Sequence, residues 1–206
     1  MSTQHILWTE KYRPKTVDEC ILPERLKLPF MEYVRLNTIP NLLLSGGAGV
    51  GKTTIAKAMC NEIGCDFIVI NGSDESGIDT FRTKIKQYAS SMSLTGGRKV
   101  IIIDEADYLN PNSTQPALRN AMEEFAGNCS FIFTANFKQR IIDPLHSRCS
   151  VVDFSLKSAE KQKMAAAFFE RVQTILKNEN VDFDKKVLAE FIKRFFPDFR
   201  RIINEL

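Results

Sequence analysis

Asn41-Leu42-Leu43-Leu44-Ser45 runs directly into Gly46-Gly47-Ala48-Gly49-Val50-Gly51-Lys52-Thr53, and Thr54-Ile55-Ala56-Lys57-Ala58-Met59-Cys60 follows. A short apolar run, a glycine-rich octet and an amphipathic helical stretch in that order predict a buried strand, a tight loop and a helix. The octet fits G-x-x-x-x-G-K-T. Its glycines let backbone N–H groups turn inward around phosphate oxygens, and the helix N-terminus adds its dipole. In such a loop Lys52 reaches the β- and γ-phosphates and the Thr53 hydroxyl ligates Mg²⁺. A glycine-rich turn that fits by chance is the competing reading. The strand before and the helix after argue against it.

The same alternation continues on both sides. A helix over 24–36 precedes the octet, within a segment punctuated by Pro14, Pro23, Pro29 and Pro40. The helix after the octet runs to Ile63, with Gly64 as its stop. Phe67–Asn71 predicts a strand, Thr80–Ser91 a helix, Val100–Ile103 a strand covered on both faces, Gln115–Ala126 a helix, and Ser130–Thr134 and Val151–Phe154 two further strands. Strands alternating with helices predict an α/β fold with a parallel sheet. After Ser158 the pattern is helical only. A helix capped by Ser158 reaches about Lys177, a second covers Lys185–Phe195, and a third begins after Pro197.

Val100-Ile101-Ile102-Ile103-Asp104-Glu105 supplies the second half of a site. A strand ending in two acids places them at the carboxyl edge of the sheet, where open α/β sheets bind ligands. Asp104 is the expected Mg²⁺ holder and Glu105 the acceptor of a proton from an attacking water. A solvated turn is the alternative for these acids taken alone. Asn136, past Ser130–Thr134, is suited to orienting that water, or is a plain turn asparagine.

Composition narrows the class. The chain has 206 residues, 44% apolar and 26% charged, with net charge +3. These values fit an ordinary globular protein and are too mild to imply nucleic acid alone. The five cysteines, with no Cys-x-x-Cys pair, speak against a disulfide framework or a zinc site and for a reducing compartment. Met1–Trp8 lacks the pattern of a signal peptide, and no run approaches a membrane span. The expected location is the cytoplasm, or the nucleus in a eukaryote.

In sum, Lys11-Tyr12-Arg13-Pro14, the octet, Asn71-Gly72-Ser73-Asp74, Asp104-Glu105-Ala106-Asp107, Thr134-Ala135-Asn136 and Ser147-Arg148-Cys149 resemble, in that order, clamp-loader AAA+ ATPase subunits. The likeness covers about residues 7–206 and extends to replication-factor-C and T-even phage types. It is strongest to the phage type through Asp18–Pro23 and Phe196–Arg200. It implies a P-loop NTPase of AAA+ type with a five-stranded parallel sheet over 1–157 and a helical lid over 158–206. The collar domain that family subunits carry is expected to be absent and the lid incomplete at Leu206.

The resemblance also implies roles. ATP is held by Tyr12, Arg13 and Pro14 around the adenine and by Gly46, Gly47, Ala48, Gly49, Val50, Gly51, Lys52, Thr53 and Thr54 around the phosphates. Thr53 and Asp104 hold Mg²⁺. Lys52, Glu105, Asn136 (first sensor), Arg148 (a finger reaching a neighbour's γ-phosphate) and Arg200 (second sensor, with Arg201 as the alternative) serve catalysis. Primer–template DNA is tracked by Ser76, Gly77, Ile78, Arg82 and Lys86, with Lys84 adding charge and the start of the helix after Asn110 nearby. A solvated amphipathic helix explains this stretch as well. Gln115 and Arg119, at i and i+4, link that surface to the acids or are a helix-surface pair. Tyr88, Met92 and Leu94 dock on the sliding clamp, or pack under the lid. The implied partners are DNA, the clamp and other subunits in a ring or spiral, as a pentamer, with no membrane. The implied function is ATP-dependent loading of a sliding clamp onto primed DNA. Another AAA+ DNA motor, such as a helicase loader or branch-migration ATPase, is the enzyme alternative. A scaffold that binds ATP without turnover is the non-enzyme one.

Overall fold

Apolar side chains alternate between two faces along each strand, and the computed structural model, which describes residues 7–74, 78–93 and 97–206, shows a helical layer against each face. The strands are β1 (Leu42–Ser45), β2 (Phe67–Asn71), β3 (Lys99–Asp104), β4 (Cys129–Ala135) and β5 (Ser150–Asp153), all parallel, in the order β2-β3-β4-β1-β5. Leu42, Leu44, Val100, Ile102 and Ile132 face one core with helices α2 (Glu24–Arg35) and α3 (Lys52–Ile63). Leu43, Ile101, Ile103, Phe131 and Phe133 face the other with α4 (Ile78–Ser90) and α5 (Thr114–Glu124). Each such fully buried side chain contributes about 1.5–3 kcal/mol of transfer free energy.

Register matters for function. Ser45 pairs with Ala135, Asn71 with Asp104, and Ile103 with Phe133, so β1, β3 and β4 end level with one another. The residues that follow them, Gly46, Glu105 and Asn136, therefore emerge together at one edge.

The helical segment after β5 comprises α7 (Ser158–Asn178), α8 (Lys185–Phe195) and α9 (Phe199–Asn204) around Phe168, Val172, Leu176, Leu188, Ile192 and Ile202. Trp8, on the short helix α1 (Trp8–Lys11), and Ile21 pack on the same cluster and tie the N-terminal segment to it. The Asp184 carboxylate caps α8 through the Lys186 and Val187 N–H groups, at 2.7 and 3.1 Å. Asp198 caps α9 through Arg201 N–H, at 3.0 Å.

Details depart from expectation. Ser158 is the first helical residue of α7 instead of its cap, and Glu160 accepts the Lys157 N–H at 2.9 Å. Pro29 lies inside α2, where it forgoes one helical hydrogen bond; burial of Leu26 and Phe30 on either side offsets the loss. Two four-residue helices, α1 and α6 (Asp143–His146), are too short to show periodicity. Among the described residues no helix is long and apolar enough to cross a membrane.

Candidate nucleotide site

The sheet's carboxyl edge and the helical segment enclose a cleft of about 1160 Å³ of open space, solvent included. Its floor is the loop between β1 and α3. Lys52, only 8% exposed, donates to Gly46 O and Gly47 O at 2.7 Å and to Asn136 Oδ1 at 2.8 Å. Burial pushes its ammonium down to about 8. Asp104 and Asp107 oppose that shift, Arg200 adds to it, and Glu105 opposes it. An ammonium so placed is short of counter-charge, and an entering phosphate supplies it.

Thr53 Oγ1 donates to Asp104 Oδ1 at 2.6 Å. A hydroxyl and a carboxylate side by side are hard oxygen donors of the kind that suit Mg²⁺. Among the described residues no group of three His, Cys, Asp or Glu side chains is arranged for a metal.

Two residues outside the expected catalytic set position members of it. Thr134, 2% exposed, donates to Asp104 Oδ1 at 2.5 Å and accepts the Glu105 N–H at 3.1 Å. Asp107, 4% exposed, accepts the Asn136 and Phe137 N–H groups at 3.2 and 3.1 Å and so fixes the backbone that carries the Asn136 amide. Both residues stand in motifs recognisable by sequence. Only the register of β3 against β4 shows what they touch.

Tyr12, Arg13 and Pro14 line the cleft, as do Ala48 to Thr54, Asp104, Glu105 and Asn136. Gly46 and Gly47 take part through the carbonyls that hold Lys52. Arg13 donates to Thr54 Oγ1 at 3.5 Å and pairs with Glu10. The Tyr12 hydroxyl donates to Glu179 Oε1 at 2.6 Å, and Lys11 pairs with the same carboxylate. An apolar wall of Ile21, Leu22, Phe168, Ile175, Phe199 and Ile203 faces these polar groups. Its α7 and α9 members lie over a hundred residues from the loop, and nothing in the sequence pairs them with it.

The helical segment also bonds the loop directly. Phe199 N–H donates to Gly49 O at 3.2 Å. Gly49 sits at φ +71°, and a Cβ there would lie 1.8 Å from Asp198 Oδ1. Arg200 lines the cleft. Arg201 turns away, stacking on the Phe195 ring at 4.3 Å and reaching Glu205 at 3.4 Å.

Other expected residues lie elsewhere. Arg148 stands outside the cleft, where it pairs with Glu123 and donates to Pro144 O at 2.9 Å. Gln115 is fully buried; its amide donates to Leu109 O and Arg140 O and accepts the Ile142 N–H, at 2.8–3.0 Å. Arg119 instead reaches its neighbour Asn120, so the two do not act as a pair. Ile78 opens α4 half-buried, Arg82 and Lys86 are exposed on it, and Arg82 lies 4.0 Å from Asp79. The helix expected after Asn110 begins at Thr114. Ser76, Gly77 and Leu94 lie outside the described residues.

Tyr88 is half-buried. It packs against the α4–α5 core, its hydroxyl is enclosed, and the Lys99 ammonium sits 4.7 Å from its ring centre. Met92, by contrast, is 92% exposed.

Comparison with known proteins extends the picture. Residues 42–157 match the ATPase family associated with various cellular activities (AAA). Residues 160–206 match the AAA+ ATPase lid domain of the sliding-clamp-loader large subunit. The chain is 45% identical over 208 residues to the sliding-clamp-loader large subunit of Escherichia phage RB69, with 100% of this chain and 64% of that protein covered. It is 43% identical over 206 residues to the subunit of the same name from Enterobacteria phage T4, covering 98% and 64%. To the replication factor C small subunit of Methanoculleus marisnigri it is 36% identical over 212 residues, covering 100% and 64%. The chain thus spans about 64% of the length of these relatives. Among solved structures, the Thermotoga maritima RuvB Holliday junction branch migration motor aligns with a TM-score of 0.68 at 20% identity, covering 94% of this chain and 63% of that one. At that identity the likeness establishes the fold alone.

Proposed function

The chain belongs to the AAA family of ATPases, and from that premise we propose that it binds and hydrolyses ATP as a subunit of a machine that loads a sliding clamp onto primed DNA. The observation that carries the reading is the convergence of Lys52, the Thr53–Asp104 pair, Glu105, Asn136 and Arg200 on one cleft between sheet and lid.

On this reading the domain of residues 1–157 binds the nucleotide and 158–206 forms the lid. The base lies among Tyr12, Arg13, Pro14 and the apolar wall, and the triphosphate runs along the loop. Lys52 exchanges its carbonyl partners for β- and γ-phosphate oxygens. Thr53 and Asp104 would hold Mg²⁺, which would supply positive charge to offset that of the phosphates. Glu105 accepts the proton of the attacking water, Asn136 orients that water, and Arg200 reaches the phosphates from the lid. Arg148, remote from its own cleft, serves a neighbouring subunit's γ-phosphate.

The named relatives are clamp-loader and replication factor C subunits, which supports a sliding clamp and sister subunits as partners; primer–template DNA and a pentameric ring or spiral complete the proposal. DNA phosphates meet the start of α4, with Arg82 and Lys86, without regard to sequence. Met92 meets the clamp. The compartment on this reading is the cytoplasm.

The test is ATP turnover by the chain in assembly with its sister subunits, with primed DNA and clamp added singly and together. More than additive stimulation by the two is expected. Equal stimulation by DNA with or without clamp would refute clamp loading. Glu105→Gln should retain nucleotide binding while turnover drops by about 10²–10⁴-fold; an unchanged rate would refute the base assignment.

A further inference from the structure

Glu105 is a non-glycine residue in the left-handed region, at φ 55° and ψ 43°. Such a conformation is uncommon away from glycine and persists only where the surroundings hold it. Two contacts hold it here. On one side the Thr134 hydroxyl accepts the Glu105 N–H at 3.1 Å, while donating its proton to Asp104 Oδ1 at 2.5 Å. On the other, Gly72 lies against the same peptide. Its N–H donates to Asp104 O at 2.7 Å, and a Cβ on Gly72 would stand 2.7 Å from Glu105 O and 3.2 Å from Asp104 O. The acids at the end of β3 are thus gripped between a buried hydroxyl of β4 and a bare backbone after β2.

We propose that Thr134 and Gly72 are positioning residues for hydrolysis, holding Glu105 in the left-handed conformation that aims its carboxylate into the cleft. The inference rests on Glu105 being the general base and extends that reading to residues that touch no substrate. A hydroxyl is required at Thr134 because it must accept and donate at once; valine has the same shape and can do neither. Thr134 is 2% exposed and its hydroxyl is committed to these two bonds. Gly72 is required for space.

The experiment measures single-turnover hydrolysis of radiolabelled ATP by the 206-residue chain, with binding of Mg²⁺ and ATP measured separately. Wild type is compared with Thr134→Val, Thr134→Ser, Gly72→Ala, Glu105→Gln and Thr134→Val/Glu105→Gln. Thr134→Val should slow hydrolysis on the order of 10–100-fold with affinity for Mg²⁺ and ATP within about threefold of wild type, because the loss falls on general-base catalysis. Thr134→Ser should restore the rate. The double variant should be no slower than Glu105→Gln alone, the signature of acting through that residue. Gly72→Ala reaches the same peptide from the other side and should give the same pattern even if Thr134→Val fails to fold. Full activity in both Thr134→Val and Gly72→Ala, with Glu105→Gln inactive, overturns this inference and leaves the base assignment standing. Loss of Mg²⁺ affinity matching the loss of rate would assign Thr134 to Asp104 and the metal, and overturns it too. An active Glu105→Gln overturns the base assignment itself.

Discussion

Replacing Gly49 by alanine tests whether lid and phosphate loop form one unit. The φ of +71° costs an L-residue about 1–2 kcal/mol. The new methyl would lie 1.8 Å from Asp198 Oδ1 and 3.2 Å from Asp198 Cα, so the carboxylate must swing away. That movement opens the cap on Arg201 N–H, a loss of about 1 kcal/mol. Any shift of the Asp198 backbone also breaks the bond from Phe199 N–H to Gly49 O, which contributes roughly another 1 kcal/mol. Gly49→Ala should therefore destabilise the chain by about 3 kcal/mol in urea unfolding, a large share of the 5–15 kcal/mol typical of a domain. Hydrogen exchange should show α9 amides opening before those of the sheet. Asp198→Ala alone should cost about 1 kcal/mol. The double variant should fall short of the two single costs together by about that amount, because the cap is lost only once. Strictly additive costs, or a loss in Gly49→Ala below about 1 kcal/mol, would refute the argument that the lid seats on the loop.

Arg200→Ala should weaken ATP binding roughly 10- to 150-fold, the value of a charged hydrogen bond to phosphate, whereas Arg201→Ala should leave it near wild type in the same fluorescence titration; the reverse order would exchange their roles. Arg148→Ala should leave ATP binding by the isolated chain unchanged and abolish the extra turnover seen on assembly, and a binding defect in the monomer would contradict a role in trans. Burial pushes the Cys20 and Cys149 thiols up to about 12, so at pH 8 both should alkylate on the order of 10³ times more slowly than an unperturbed cysteine. Mass spectrometry of the iodoacetamide-treated native chain reads this directly, and labelling as fast as in the urea-unfolded chain would contradict it.

Much of the site was legible because it is local. Gly46–Thr53 carries its own turn chemistry, and Val100–Ile103 announces a strand whose end must bear Asp104 and Glu105. The five-strand parallel fold follows from the same alternation and from the family resemblance. The order β2-β3-β4-β1-β5 does not follow, since strand spacing carries no record of which neighbour a strand takes. Thr134 and Asp107 were visible as motif letters, but their partners lie 29–30 residues away on other elements. Tyr88 was read as a clamp contact or as packing under the lid; helical periodicity could not show that it lies half-buried against the α4–α5 core with the Lys99 ammonium 4.7 Å from its ring centre. Contacts between α9 and the loop depend on how three helices fold back over the sheet, which is a property of packing.

Arg148 does not line the cleft of its own chain and is held by Glu123. If it completes a neighbour's site, one copy carries the donor on one surface and the acceptor on another, and a head-to-tail arrangement joins the two. In that arrangement each copy would offer a guanidinium forward and a pocket behind. A row of copies of this kind either closes on itself or leaves one pocket at its end without a donor, and the rotation from one copy to the next decides which.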